Sequence, residues 1–199
     1  MNFGALRVLN DDRVEAGKGF GTHPHKNMEI ISIPLKGKLK HGDSQKNSRS
    51  ITPGDIQTMS AGTGIYHSEM NGSDTEPVEF LQIWVMPEKL NTPPAYQDYD
   101  IRPLLRKNEL TLIVSPDGDA PAKMLQQAWF SIGEIEAGKK IGYHMHQSHA
   151  GVYIFVIEGE VKVDDTVLSR RDGMGVYDTH SFELETLKDS HILLMEVPM

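Results

Sequence analysis

The stretch GFGTHPHKNMEIISIPLKG, residues 19–37, decides how this chain is read. Two histidines, His23 and His25, flank Pro24, and an apolar run, Met28–Pro34, follows and closes on Gly37. Alternate side chains of an extended strand share a face, so His23 and His25 form a two-toothed grip and the run behind them reads as a packed strand. A second stretch, MSAGTGIYHSEM at residues 59–70, sets His67 and Glu69 around Ser68 in the same way. Two such grips facing each other chelate one ion. Three neutral imidazoles and a carboxylate suit Fe(II), Mn(II), Ni(II), Cu(II) or Zn(II), and an octahedral ion would keep positions open for water, oxygen or substrate. Gly62 and Gly64 are expected as turn residues of positive φ that let the following strand present His67.

Outward from these stretches, short runs rich in β-branched and large apolar residues recur between Gly, Pro, Asn and Asp. Examples are Ala5–Leu9, Phe80–Met86, Trp129–Glu136, Val152–Ile157 and Ile192–Val197. This spacing predicts an all-β sandwich or barrel. Only Arg102–Asn108 offers a turn or two of helix. Asn91–Pro103, with Pro93-Pro94 and the polar Gln97-Asp98-Tyr99-Asp100, reads as an extended connector without ladder pairing. It divides the chain into residues 1–100 and 101–199. The halves are faintly alike, since His144-Met145-His146, the run Val152–Ile157, Gly159, Asp172-Gly173 and His180 repeat the first half's order imperfectly.

The chain has 199 residues and no cysteine, which excludes disulfides and thiolate ligands and leaves His and carboxylate as metal donors. A formal charge of −8 argues against direct nucleic-acid binding, which needs clustered Lys and Arg. The local cluster Lys36, Lys38 and Lys40 is expected on a solvated strand edge. No apolar run is long enough to span a membrane and no leader pattern opens the chain, so a cytoplasmic location is expected. Trp84 and Trp129, with Met28, Met59, Met70 and Met86, read first as core. His41 and His191 show no partner pattern and read as ordinary polar residues.

Residues 21–29 and 59–69, together with FGALRV at 3–8 and LQIWV at 81–85, resemble the pirin family of the cupin superfamily. Gly19, His23, His25, Glu29 and Gly37 follow the first cupin motif, and Pro53-Gly54-Asp55 through His67 the second. The likeness covers most of residues 1–100 and the second half in outline. It implies an all-β bicupin of two antiparallel β-barrel (jelly-roll) domains. Residues 1–100 would be the metal-binding domain and residues 101–199 a degenerate one. One non-haem divalent metal is implied, iron first among Mn, Ni, Cu and Zn, held by His23, His25, His67 and Glu69. Glu29 competes as the carboxylate ligand or serves as an outer partner fixing a ligand imidazole. His144, His146, His149 and His180 are candidates for a second site, in a domain where the family generally has no metal.

The activity the resemblance implies is cleavage of flavonols such as quercetin by O2, with loss of carbon monoxide and with Glu69 as both ligand and catalytic base. The alternative is a metal-dependent regulatory protein acting through protein partners. Both readings expect a monomer without membrane contact. Family chains usually carry about thirty further residues ahead of the segment that opens this one, which would leave an edge strand uncovered here.

Overall fold

The computed structural model describes residues 2–199, with Met1 outside them, and the regular elements in those residues are all strands. The chain forms two compact units. One holds Leu6–Arg102 and Pro121–Gln126; the other holds Phe3–Ala5, Pro103–Ala120 and Gln127–Met199. No helix among the described residues is long and apolar enough to cross a membrane.

The first unit contains β1 (Leu6–Val14), β2 (Gly19–His25), β3 (Glu29–Lys36), β4 (Leu39–Asp43), β5 (Ser48–Ile51), β6 (Asp55–Ser60), β7 (Ile65–Asn71), β8 (Val78–Val85) and β9 (Ala95–Asp100). They build two antiparallel sheets, β1-β8-β3-β6-β9 and β2-β7-β4-β5. Period-two alternation explains how these face each other. On β7, Ile65, His67, Glu69 and Asn71 are buried while Tyr66 between them is exposed. Strands β3 and β8 are covered on both faces, which matches their nearly unbroken apolar composition. Ile30, Ile31, Phe80, Leu81 and Ile83 are all at most 1% exposed. Each contributes about 1.5–3 kcal/mol by leaving water.

Three expectations change here. The stretch read as an unpaired connector supplies β9, which pairs with β6 from Asp55↔Asp100 to Ser60↔Ala95. Pro93 and Pro94 end before the strand begins, and an edge position tolerates the polar residues that follow. Arg102–Asn108 forms turns rather than helix. Pro103 lacks a backbone donor, Asn108 has φ 64°, and the Arg106 guanidinium bonds the carbonyls of Pro103 and Leu105. Lys36, Lys38 and Lys40 do not mark a sheet edge. They are exposed around the Gly37 turn joining two interior strands, β3 and β4, and Leu39 between them is 1% exposed.

In the rest of the chain lie β10 (Thr111–Ser115), the two-residue β11 (Ala122–Lys123) that belongs with the first unit, β12 (Trp129–Ile135), β13 (Lys140–His144), β14 (Ala150–Glu158), β15 (Glu160–Val163), β16 (Thr166–Ser169), β17 (Gly173–Val176), β18 (Ser181–Thr186) and β19 (Ser190–Pro198). In the second unit β10-β12-β19-β14-β17 run side by side, and β13-β18-β15-β16 form the second sheet. Strands β12 to β19 repeat the pairing order of β1 to β8, so the faint sequence repeat is a repeated topology. Its core joins Val152, Ile154, Val156, Leu184, Ile192 and Leu194 from both sheets.

Candidate metal centre

Strands β2 and β7 are neighbours, and His23 lies directly opposite His67 in their ladder. A register irregularity between Phe20 and His23 sets that alignment. His25, two residues on, shares the inner face. Gly62, with φ +49°, makes the turn into β7, where an added Cβ would lie 2.0 Å from the Thr92 carbonyl oxygen; Gly64 also has positive φ. The expected turn role of both glycines is therefore met by their backbone geometry.

His23, His25 and His67 each offer a donor atom, and these atoms lie within 4.8 Å of one another. Their ring centroids are 4.5 to 4.9 Å apart. His23 Nδ1 is 2.8 Å from the Gly21 carbonyl oxygen. A carbonyl only accepts, so Nδ1 carries a proton, and in the neutral ring that binds metal Nε2 is left with a bare lone pair. That Nε2 is 3.0 Å from His67 Nε2, and His25 Nε2 is buried with no partner at all. A cation among the three rings gives every one of these lone pairs a partner, so the donor set fits a metal ion. Burial, then the neighbouring His23, lowers the His25 pKa to about 4. Burial, then His25, His23 and His41, lowers His67 to about 3 against the opposing pull of Asp43. Both rings are neutral near pH 7, the form that binds metal.

Glu69 lies on the same inner face of β7 and is 1% exposed, but it is not among the three converging residues. Ser32 Oγ donates to Oε1 at 3.1 Å and the Gln82 side-chain amide donates to Oε2. Gln82 in turn accepts from Trp84 Nε1 at 3.1 Å, and the Trp84 ring stands edge-on to His25 at 4.9 Å. Burial raises the Glu69 pKa, opposed by the bonds from Gln82 and Ser32. Trp84 is thus a wall of the site as well as a packing residue.

Glu29 does not fix a ligand imidazole. Ser32 reaches Glu69 from β3, so Ile30 and Ser32 share the inner face and Glu29 takes the other. There Glu29 accepts bonds from Ser60 Oγ at 3.0 Å and the Leu125 amide at 3.1 Å.

His144, His146, His149 and His180 form no comparable group among the described residues. In the second unit the residue opposite His144 is Ser181, where the first unit has His67 opposite His23. His180 precedes β18 and is out of phase by one residue. His146 turns its Nδ1 to the fully buried Glu196, 2.8 Å away, and stacks on Trp129 with ring centroids 4.8 Å apart.

Sequence reasoning passed over His41, Ser32 and Gln82. His41 is fully buried, lies 3.0 Å from Asp43 Oδ2, and has its ring centroid 5.4 Å from that of His67. The signal available was the i, i+2 pair His41-Gly42-Asp43, the same alternation that singled out His67 and Glu69.

A two-unit jelly-roll with a histidine grip on neighbouring strands of the first unit defines the cupin class. Within it the chain belongs to the pirin family: the Pirin profile matches residues 1–85 and the quercetinase C-terminal cupin domain profile matches residues 112–197. It is 38% identical over 203 residues to quercetin 2,3-dioxygenase of Escherichia coli K12, covering 100% of this chain and 84% of that protein. The crystal structure of YhhW from Escherichia coli superposes with a TM-score of 0.94 at 37% identity, covering 100% of this chain and 83% of that one. The bacterial pirin YhhW in complex with nickel(II) gives a TM-score of 0.93 at 36% identity, with 100% and 84% covered.

Proposed function

We propose that this chain is a metal-dependent dioxygenase that opens flavonols such as quercetin with O2, releasing carbon monoxide, with residues 1–100 as the metal-binding domain and 101–199 as a metal-free cupin domain. The observation that carries this reading is the convergence of three histidine donor atoms within 4.8 Å beside the buried Glu69. Kinship with the E. coli quercetin 2,3-dioxygenase supports the choice of substrate class.

His23, His25 and His67 would hold one divalent ion, with Glu69 as the fourth ligand. We assign Fe(II), and the nickel(II) complex of the related pirin supports a site that also accepts other first-row ions. Bound there, the ion supplies Lewis acidity toward the flavonol's enolate oxygen. Glu69 takes the proton from the flavonol hydroxyl, and O2 is the sole oxidant, both its atoms entering the ring-opened product. Ser32 and Gln82 hold the carboxylate in place through their donated bonds. Trp84 closes one side of the site against His25, which limits solvent beside the reacting atoms.

The test is oxygen uptake with quercetin on protein reconstituted separately with Fe(II), Mn(II), Ni(II), Cu(II) and Zn(II), beside metal-free protein and a Glu69→Ala control. Metal-dependent turnover that the control lacks is expected. No turnover despite a full complement of metal would overturn the catalytic reading in favour of a regulatory protein.

A further inference from the structure

His41 stands behind the histidine group. The β4–β7 ladder sets Asp43 opposite His67 and His41 opposite Glu69, so the two alternating pairs lie against each other on the inner face. The His41 ring is firmly held. Its Nε2 is 3.0 Å from Asp43 Oδ2, and it stacks on Tyr96 with centroids 4.5 Å apart. Asp43 is pinned in turn by the backbone amides of Gln45 and Asn47 and by the Asn47 side-chain amide.

Proton positions follow from these partners. A carboxylate only accepts, so His41 carries its proton on Nε2, and a buried neutral ring then has a bare lone pair on Nδ1. That Nδ1 is buried without a partner. His67 is its complement. With Nε2 turned toward His23, an imidazole acting as a ligand carries its proton on Nδ1, and ligand histidines almost always give that proton to an acceptor. His67 Nδ1 is likewise buried without a partner. Both oxygens of Asp43 already accept bonds, Oδ1 from two amides and Oδ2 from Asn47 and His41. The ring centres of His41 and His67 are 5.4 Å apart. A direct N–H···N bond of ordinary length between two imidazoles places their centres about 5 Å apart.

We propose that His41 accepts a hydrogen bond from His67 Nδ1–H, so that Asp43, His41 and His67 form a chain that fixes the tautomer and pose of a metal ligand and strengthens it as a donor. His41 is a positioning residue, since it acts through His67. The inference rests on the proposed metal site.

The experiment uses His41→Phe, which keeps the volume and the face against Tyr96 but removes the acceptor, and Asp43→Asn as a milder change. Two quantities are measured: the Ni(II) dissociation constant by chelator competition, and the His67 Nδ1 proton by NMR of histidine-labelled, Zn(II)-loaded protein. The wild type is expected to show a slowly exchanging, downfield Nδ1 proton. In His41→Phe that signal disappears and Ni(II) binding weakens about 10- to 100-fold, with a smaller loss in Asp43→Asn. A purely structural His41 would lower the melting temperature yet leave the Ni(II) constant of the folded protein within about twofold, and that result overturns the proposal. Absence of the downfield proton in the wild type overturns it as well, even where His41→Phe fails to fold. Wild-type protein whose Ni(II) binding is absent, or unaffected by His25→Ala, would overturn the metal site and this inference together, whereas histidine-dependent binding with no effect of His41 defeats the inference alone.

Discussion

Glu69 and His67 stand two residues apart on β7, yet their surroundings ask different things of them. Glu69 is held by two side-chain donors, so Glu69→Gln keeps the packing of Ser32 and Gln82 while removing the negative charge. Quercetin turnover should fall at least about 100-fold in a Glu69→Gln protein that still holds metal through its histidines. Turnover that persists in that protein removes Glu69 as the base. The histidines set a pH dependence of the metal-free fold. His25 and His67 have pKa values depressed to about 4 and about 3 from 6.5. Below pH 6.5 the unfolded chain takes up protons that the folded chain refuses, so their contribution is intact above pH 6.5 and is lost as pH falls toward those values. Burial raises Glu29 and Glu69, which works in the opposite sense, so the informative comparison is with a variant. Urea midpoints of metal-free protein at pH 7 and pH 5 should differ less in His25→Asn than in the wild type. The three converging histidines were legible because each His-x-His or His-x-Glu pair is local in sequence. Ser32, Gln82 and His41 were not, because what makes them partners is cross-strand register and the facing of two sheets.

At the scale of elements, β7 depends on how it begins. Gly62 has φ +49° and packs so closely that a Cβ would meet the Thr92 carbonyl oxygen at 2.0 Å. Gly62→Ala should cost about 1–3 kcal/mol, read as a lower melting temperature, and should weaken Ni(II) binding because the start of β7 must shift. An unchanged melting temperature would show that the turn relaxes without strain. Its glycine pattern revealed this turn in advance, whereas β9 was hidden. Consecutive prolines and a polar run suggest a connector when read alone, but at a sheet edge only one side of the backbone needs partners. Tyr96, on that edge strand, supplies the ring against which His41 stacks.

At the scale of the whole molecule, one topology is used twice and the converging histidines occur in one copy. The repeat was visible as recurring glycines and a second His-x-His. Its lack of a matching ligand opposite His144 was not, since only the ladder reveals Ser181 there. A ligand that binds the folded state stabilises the region it touches. Hydrogen exchange with and without Ni(II) should therefore show added protection across β2, β4 and β7, with little change across β13, β15 and β18. Equal protection in both sets would place metal in the second unit too.

Among the described residues, β2 is the outer strand of its sheet, and its middle is His23-Pro24-His25. An outer strand is where a second chain could dock and share its ligands, turning chelation into cross-linking. Pro24 has no N–H to offer along that margin, so a docking strand would lose a rung beside the converging imidazoles. The residue that spaces the two histidines thus also guards them. On the proposed metal site, the expected Ni(II) dissociation constant is therefore the same in dilute and in concentrated protein.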